Sequence, residues 1–439
     1  MSELPKSWTA TIMGDAIRSV RNGRNIKQDK SGKGTPVSRI ETIAQEEINF
    51  DRVGYTKDDV DPERDLLTQG DLLFSHINSA THLGKTAVFR SERPLFHGIN
   101  LLRIQVERQA VDPEFFHQQC CFMRQTGVFE LNGQHAVNQS SINQKKLKEL
   151  PFVIPPLPEQ RRIVGKLDTL GARTNTTRTN LSAIAKLVER YKHSVLGQIF
   201  DNLDRPTDEL RSLTSLVTSG SRGWAKYYAD DGPLFIRVGD TRRGTPILDL
   251  SDAQHVRPPA DGEGKRTKLR AGDLVVSITA DLGRVGVVPE GVEEAYVNQH
   301  IALVRPNDAG SSQFIAWYLI SPPGQTQLFE NDRGATKAGL GLEDIRNVQI
   351  PRCTSDEQRE IVRRIETAFA KIDLLAAEAE KALKLTDRMD QRILAKAFAG
   401  ELVPQDPTDE PASVLLERIR AEQASAPKRR RGRKKKADA

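Results

Sequence analysis

The residues with the clearest chemical potential are cations and aromatics set close together. Ser221-Arg222-Gly223-Trp224-Ala225-Lys226-Tyr227-Tyr228 interleaves the two types, and Arg237, Arg242 and Arg243 follow within a few positions. An arginine can grip guanine through two hydrogen bonds or hold a phosphate, while Trp and Tyr can pack on a sugar or a distorted base step. A competing reading puts Trp224 and Tyr228 in the core with the arginines solvated. Nearer the N-terminus, His76, Asn78, Lys85, Gln134 and Asn138 carry amide or basic heads of the kind that read base edges, and Arg39 occupies the place matching Arg237. Arg284 and Lys337 complete the candidates for contact with a nucleic acid.

Two fragments imitate catalytic motifs. Gly84-Lys85-Thr86 looks like half a phosphate-binding loop, but Ser79 stands where the first glycine belongs and an apolar strand pattern follows, so no helix offers its amides to a phosphate. Glu263-Gly264-Lys265 has the spacing of a metal-dependent nuclease yet sits in a Gly/Pro-rich stretch beside Pro258-Pro259, which reads as a solvated turn. The eight histidines show no metal-ligand spacing. Cys120, Cys121 and Cys353 form no Cys-x-x-Cys pair, and the adjacent two read as half-buried small side chains. No Asn-Pro-Pro or Asp-Pro-Pro with a following aromatic is present to hold a flipped base. A non-catalytic chain without its own cofactor is expected.

Two long helices must position these groups. Pro158-Glu159-Gln160-Arg161-Arg162-Ile163-Val164 opens a proline-free run to Phe200, and Asp356-Glu357-Gln358-Arg359-Glu360-Ile361-Val362 opens another to Phe398. Adding 198 to Gln160, Ile163, Val195, Leu196 and Phe200 gives Gln358, Ile361, Ile393, Leu394 and Phe398 without a gap. Along the first run Ile163, Leu167, Leu170, Leu181, Ile184, Val188, Tyr191 and Val195 follow an alternating three-four spacing, the seam of a coiled coil. Each helix would be about 60 Å long and could not bury that stripe alone.

The segments between the helices are duplicated too. Gly70–Ser75, Gly84–Phe89, Leu101–Ile104, a helix from Pro113 capped by Asp112, and Phe152–Ile154 recur as Gly272–Ser277, Gly283–Val288, Ala302–Arg305, a helix over Gln313–Leu319, and Val348–Pro351. Gly34–Ile40 likewise resembles Gly232–Val238. The expected fold class is mixed α/β (α+β): two similar globular domains joined by two long antiparallel coiled-coil helices in a pseudo-twofold tandem repeat. The expected boundaries are 1–156, 157–204 for the first helix and linker, 205–354, 355–403 for the second helix, and 404–439 for a short helix and basic tail. The shared framework carries loops that differ, as expected where a scaffold serves two targets.

Charge is concentrated at one end. Lys and Arg outnumber Asp and Glu by 65 to 59, and residues 428–439 hold eight cations and one acid, so the remainder is net −1. That tail reads either as a solvated run or as a sliding phosphate contact. Before it, Val414, Leu415, Leu416 and Ile419 share one expected helical face. Without a signal-like N-terminus or an apolar run of bilayer length, the chain reads as cytoplasmic with no membrane partner.

Ile154-Pro155-Pro156-Leu157-Pro158-Glu159-Gln160-Arg161-Arg162-Ile163-Val164, its weaker copy through Glu357-Gln358, and the ending Ile393-Leu394-Ala395-Lys396-Ala397-Phe398-Ala399-Gly400-Glu401-Leu402-Val403 resemble the specificity (S) subunit of type I restriction-modification systems. The resemblance spans residues 1–403, departing where the first copy ends Gly197-Gln198-Ile199-Phe200-Asp201. It implies two target-recognition domains, each reading half of a split double-stranded DNA target, with the helices fixing the spacing. It implies two methyltransferase subunits docked on the helices and two restriction/translocase subunits joining them, so S-adenosylmethionine, ATP and magnesium belong to those partners. Two alternatives compete: a purely structural coiled-coil adaptor, and the specificity module of a type II-like restriction-modification enzyme.

Overall fold

The computed structural model describes residues 4–136, 139–220, 222–258, 262–279, 281–330 and 339–425. The chain divides into two compact units, Met1–Arg178 with Lys384–Ala439, and Thr179–Leu383. Both divisions fall inside the long helices, Leu157–Asp201 and Ser355–Phe398. Each unit therefore contains one globular part and a portion of both helices.

In the first unit a four-stranded antiparallel sheet runs Ile17–Asn22, Leu102–Val106, Leu72–Phe74, Thr86–Val88. The second unit repeats that order with Thr214–Ser219, Ile301–Pro306, Leu274–Ser277 and Val285–Val287. A two-stranded ribbon closes each globular part, pairing Thr9–Ile12 with Pro151–Ile154 and Thr207–Glu209 with Gln349–Pro351. The helix Pro113–Gln125 is capped as its sequence predicts: the Asp112 carboxylate accepts from the backbone N–H of Glu114 at 2.9 Å and of Phe115 at 3.4 Å.

One buried ion pair is built twice. Arg103 Nη2 lies 2.5 Å from Asp71 Oδ2 with both side chains 2% exposed, and Arg305 Nη2 lies 2.6 Å from Asp273 Oδ2. Each aspartate also accepts a backbone N–H at 2.7 Å, from Thr68 and Arg270 respectively. Asp71 and Asp273 each follow a glycine at positive φ, Gly70 at 82° and Gly272 at 83°, where a side chain would be strained. A tight turn thus delivers a carboxylate into the core, and an arginine on the neighbouring strand neutralises it.

The long helices run antiparallel within each unit. In the first, Ile163 and Leu167 pack in one cluster with Leu394, Ala397 and Phe398, while Arg178 reaches Asp387 at 2.8 Å and Asp390 at 2.7 Å. In the second, Leu196 and Phe200 cluster with Ile361, Ile365, Phe369 and Ile372, and Lys192 reaches Asp373 at 2.5 Å. Each long helix also docks on a helix of a globular part, Pro113–Gln125 or Ser312–Ile320. Phe398 packs on Phe115 at 5.6 Å and on Phe122 at 5.1 Å; Phe200 packs on Phe314 at 5.9 Å and on Tyr318 at 5.3 Å.

The expected seam is corrected at its ends. Tyr191 is 61% exposed and its counterpart 198 residues on, Met389, is 49% exposed, while Leu196 and Phe200 are buried. A straight helix turns every 3.6 residues and drifts about 20° per heptad from a 3.5-residue stripe. Near each end the helix also faces a globular part, which takes up the rotated positions.

The glutamines of the repeated motif brace the helix starts. Gln160 Nε2 donates to Pro155 O and Ala110 O, both at 2.8 Å, and Gln358 Nε2 donates to the equivalent carbonyl of Cys353 at 3.1 Å. At the chain's end, Ala412–Ser425 forms a helix whose Ala412, Leu416 and Ile419 enter the first unit's core. Val414, expected on that face, is 49% exposed, because the buried stripe follows 412, 416 and 419. The basic run after Pro427 lies outside the described residues. No described helix is long and apolar enough to cross a membrane.

Candidate nucleic-acid interface

In the second unit a short turn, Val238–Asp240, starts from Arg237, whose backbone N–H donates to Asp240 Oδ2 at 2.7 Å. The loop that follows carries Arg242 and Arg243. A second loop, after the strand Leu274–Ser277, carries Asp281 and Arg284. The two are joined where Arg284 Nη1 donates to Thr241 O at 2.8 Å and where Asp281 pairs with both Arg243 and Arg284. Burial works to raise the Asp281 carboxyl, but hydrogen bonds from Arg243 and Arg284 hold it below its usual range. Arg242 pairs with Asp249; that bond, with the hydroxyl and backbone N–H of Ser251, brings the Asp249 carboxyl down to about 2.

Arg242, Arg243 and Arg284 line one cavity of about 670 Å³, whose opposite wall is the first long helix at Glu189, Arg190, Lys192 and His193. Arg242 and Arg243 are 63% and 65% exposed, so their carboxylate partners can be exchanged for phosphate oxygens with little desolvation. Arg190, Lys192 and His193 had not been expected here. The sequence signal was three basic side chains within four positions of a helix already identified.

The aromatic–basic stretch divides. Trp224 is 2% exposed and stacks on Phe235 at 5.0 Å, beside Tyr296 at 5.5 Å and Tyr227 at 6.0 Å. Its indole positions the loop from within. Arg222, Lys226 and Tyr228 are exposed around it, Lys226 Nζ lying 4.9 Å from the Tyr227 ring centroid. Ser221 lies outside the described residues.

The first unit uses the same frame with other chemistry. Arg39 starts the turn Ile40–Ile43, its backbone N–H donating to Thr42 Oγ1 at 2.9 Å, and its guanidinium meets Glu41 at 3.1 Å. It lines a cavity of about 350 Å³ with Lys30, Arg52 and Tyr55. Lys85 Nζ donates to Ala44 O at 2.6 Å, and burial draws its pKa down. His76 is buried, its pKa lowered by that burial, and its Nδ1 has no hydrogen-bond partner. Asn78 Nδ2 donates to Ser75 Oγ at 3.1 Å. Asn78 and Gln134 belong to outer strands of one three-stranded sheet, each beside the central strand Gln139–Ser141, and Gln134 is exposed. Asn138 and Lys337 lie outside the described residues.

The catalytic look-alikes resolve into structure. Thr86 begins a strand and shares a 2.8 Å hydrogen bond with His117. Gly264 and Lys265 lie on the short helix Gly262–Arg266, a correction to the expected turn. Cys120 and Cys121 are buried, a correction to the half-buried places expected from sequence, because both lie on the core-facing side of the helix Pro113–Gln125, and burial pushes both thiols up. Among the described residues no group of three His, Cys, Asp or Glu side chains could hold a metal.

The model of the type I restriction modification DNA specificity domain matches residues 5–186 and 235–384. The chain belongs to this family. Among relatives of this specificity-domain protein, the putative type I restriction enzyme MjaX specificity subunit of Methanocaldococcus jannaschii is 26% identical, over 90% of this chain and 94% of that one. The type I restriction enzyme EcoBI specificity subunit of Escherichia coli is 27% identical, over 98% and 95%. The fold matches the HsdS subunit from Thermoanaerobacter tengcongensis with a TM-score of 0.59 at 20% identity, covering 91% of this chain and 98% of that one. A chain solved in work on complex assembly and conformational transition of the type I R-M system matches with a TM-score of 0.66 at 20% identity, over 92% and 100%.

Proposed function

We propose that this chain is the DNA sequence-specificity subunit of a type I restriction-modification complex, each globular part reading one half of a bipartite double-stranded target. One observation carries the division of labour. The two halves share a buried ion pair, a glycine turn, a phenylalanine dock and a capped loop, yet that loop reads Gln45-Glu46-Glu47 in one half and Arg242-Arg243-Gly244 in the other. A constant frame with loops of different charge supports reading of unlike half-sites.

In the second half-site, Arg242 and Arg243 exchange their carboxylate partners for phosphate or guanine, and Arg222 and Lys226 hold the backbone nearby. In the first, Arg39, Asn78, Gln134 and Asn138 present polar heads to base edges. Lys337 belongs to the same proposed set. The chain itself supplies recognition and positioning. Two methyltransferase subunits dock on the helix pair, two restriction/translocase subunits join the complex in the cytoplasm, and S-adenosylmethionine, ATP and magnesium are bound by those partners.

The test is a DNA-binding titration of the assembled methyltransferase complex against targets randomised in one half at a time. Arg243→Ala should relax or weaken recognition in one half only. Equal loss at both halves would contradict the proposal.

A further inference from the structure

Among the described residues Glu46 is alone, glycines aside, in having a positive φ, 63°. A left-handed backbone crowds a side chain, and a glutamate keeps it only where something else holds it there. Counting on 198 residues, the offset of the duplication, reaches Gly244, whose φ is 73°. A Cβ at Gly244 would meet only Glu189 Oε2, 4.0 Å away, so conformation and not space suits glycine there. Both halves make the same turn, and the first makes it against the preference of its residue.

The side chain of Glu46 supplies what holds it. Its Oε1 accepts from Arg124 Nε at 2.9 Å and from the Cys121 thiol at 3.7 Å, and lies 2.8 Å from Arg124 Nη2. Arg124 and Cys121 belong to the helix Pro113–Gln125, which is anchored by buried Phe115, Phe116 and Cys120. Two residues earlier Lys85 holds the Ala44 carbonyl, and the Glu46 N–H donates to Ile43 O at 3.0 Å. Residues 44 and 46 are thus tied inward, while Gln45 and Glu47 beside them are exposed. Gln45 stands at the place of Arg243 in the duplication.

An amide and a carboxylate in that place suit other ligand atoms than an arginine does. Phosphate repels a carboxylate, so a Glu47 that faces DNA gains only from an amino group, as on cytosine N4. A glutamine amide matches the donor and acceptor of adenine N6 and N7. We infer that Gln45 and Glu47 read adenine and cytosine in the first half of the target, and that Glu46, through Arg124, is the positioning residue that aims them. The inference rests on the reading of the first globular part as the reader of that half.

The experiment uses the full chain assembled with its methyltransferase subunit. The motif is mapped by genome methylation, the first half being the one that survives exchange of residues 205–354, and binding is measured to duplexes substituted at each position in turn. Gln45→Ala and Glu47→Ala should each lower discrimination at one first-half position, an A·T pair and a C·G pair respectively, by about tenfold. Glu46→Gly keeps the left-handed turn without strain, so the thermal midpoint should hold while discrimination falls at both positions together. Glu46→Gln keeps an acceptor for Arg124 and should restore most of it. Discrimination in the second half should stay unchanged throughout.

Unchanged discrimination in the Glu46→Gly variant would overturn the positioning role. A first half without a C·G pair, or one that Gln45→Ala and Glu47→Ala leave fully read, would overturn the assignment of bases. Lost methyltransferase binding with first-half discrimination intact would show that the loop meets a protein, and would overturn the inference as well. A wild-type complex without sequence preference in its first half would overturn the underlying reading too.

Discussion

Lys85 and Arg284 make the same contact in the two halves of the chain. Lys85 Nζ donates to Ala44 O and Arg284 Nη1 to Thr241 O, and each carbonyl ends the short turn begun by Arg39 or Arg237. A cation one residue beyond a positive-φ glycine, Gly84 or Gly283, thereby fixes the loop that carries the variable residues.

This sharing separates two kinds of basic residue. Arg242→Ala and Arg243→Ala should each lower the slope of log affinity against log salt by about one, as expected for a lost phosphate contact. Lys85→Met and Arg284→Met should weaken binding with less change in slope, because they act by positioning a loop. Affinities measured between 50 and 200 mM salt, concentrations at which about tenfold or larger changes accumulate, distinguish the two.

Removing one member of the buried pair strands the other. Arg103→Met leaves the Asp71 carboxylate in a site where both side chains are 2% exposed, and should destabilise the first unit by about 3–5 kcal/mol. Arg305→Met should cost less, since Arg305 is 17% exposed. Urea unfolding read by hydrogen exchange in each unit checks both values, and Arg103→Met with Asp71→Asn should lose less than the two single variants summed.

Acid should weaken the first unit first. Burial lowers His97 and His117 from 6.5 to about 4. As pH falls through 6.5 the unfolded chain binds protons at these sites and the folded chain does not, so the stability present above that pH is lost progressively down to about 4. Thermal unfolding at pH 8, 7, 6 and 5.5, roughly spanning the unperturbed histidine range, should show a falling midpoint. His117→Gln should flatten that dependence even where it lowers the midpoint.

Much of this was legible in the sequence, because duplication makes a pattern visible twice. The motif Glu159-Gln160, the strand framework and the Asp112 cap are local signals with a fixed spacing. What escaped depended on contacts across space. The carbonyl that Lys85 holds is 41 residues away and that of Arg284 is 43 away, so both read as free cations. The sequence left Trp224 open between core and loop, because Phe235 and Tyr296, which bury it, come from strands elsewhere in the chain. Arg190, Lys192 and His193 showed only as a basic cluster on a helix, because the arginine loop that shares their cavity comes from about 50 residues further along the chain.

If the helices set the spacing between half-sites, removing one heptad from the middle of each should shorten the spacer. Seven residues span about 10 Å, or roughly three base pairs. Removing a heptad from one helix alone should break the register that brings Arg178 to Asp390 and Lys192 to Asp373, and with it assembly. Methylation-site mapping of the two variants reads the result directly.

The central claim is that each globular part reads its own half of the target. The most direct measurement co-expresses the chain with a methyltransferase subunit and maps adenine methylation across a genome, before and after residues 205–354 are replaced by the matching segment of a relative. The account predicts a split motif in which one half changes and the other half stays the same. A motif that changes in both halves, or an assembled complex that binds S-adenosylmethionine yet places no new methylation, would contradict it.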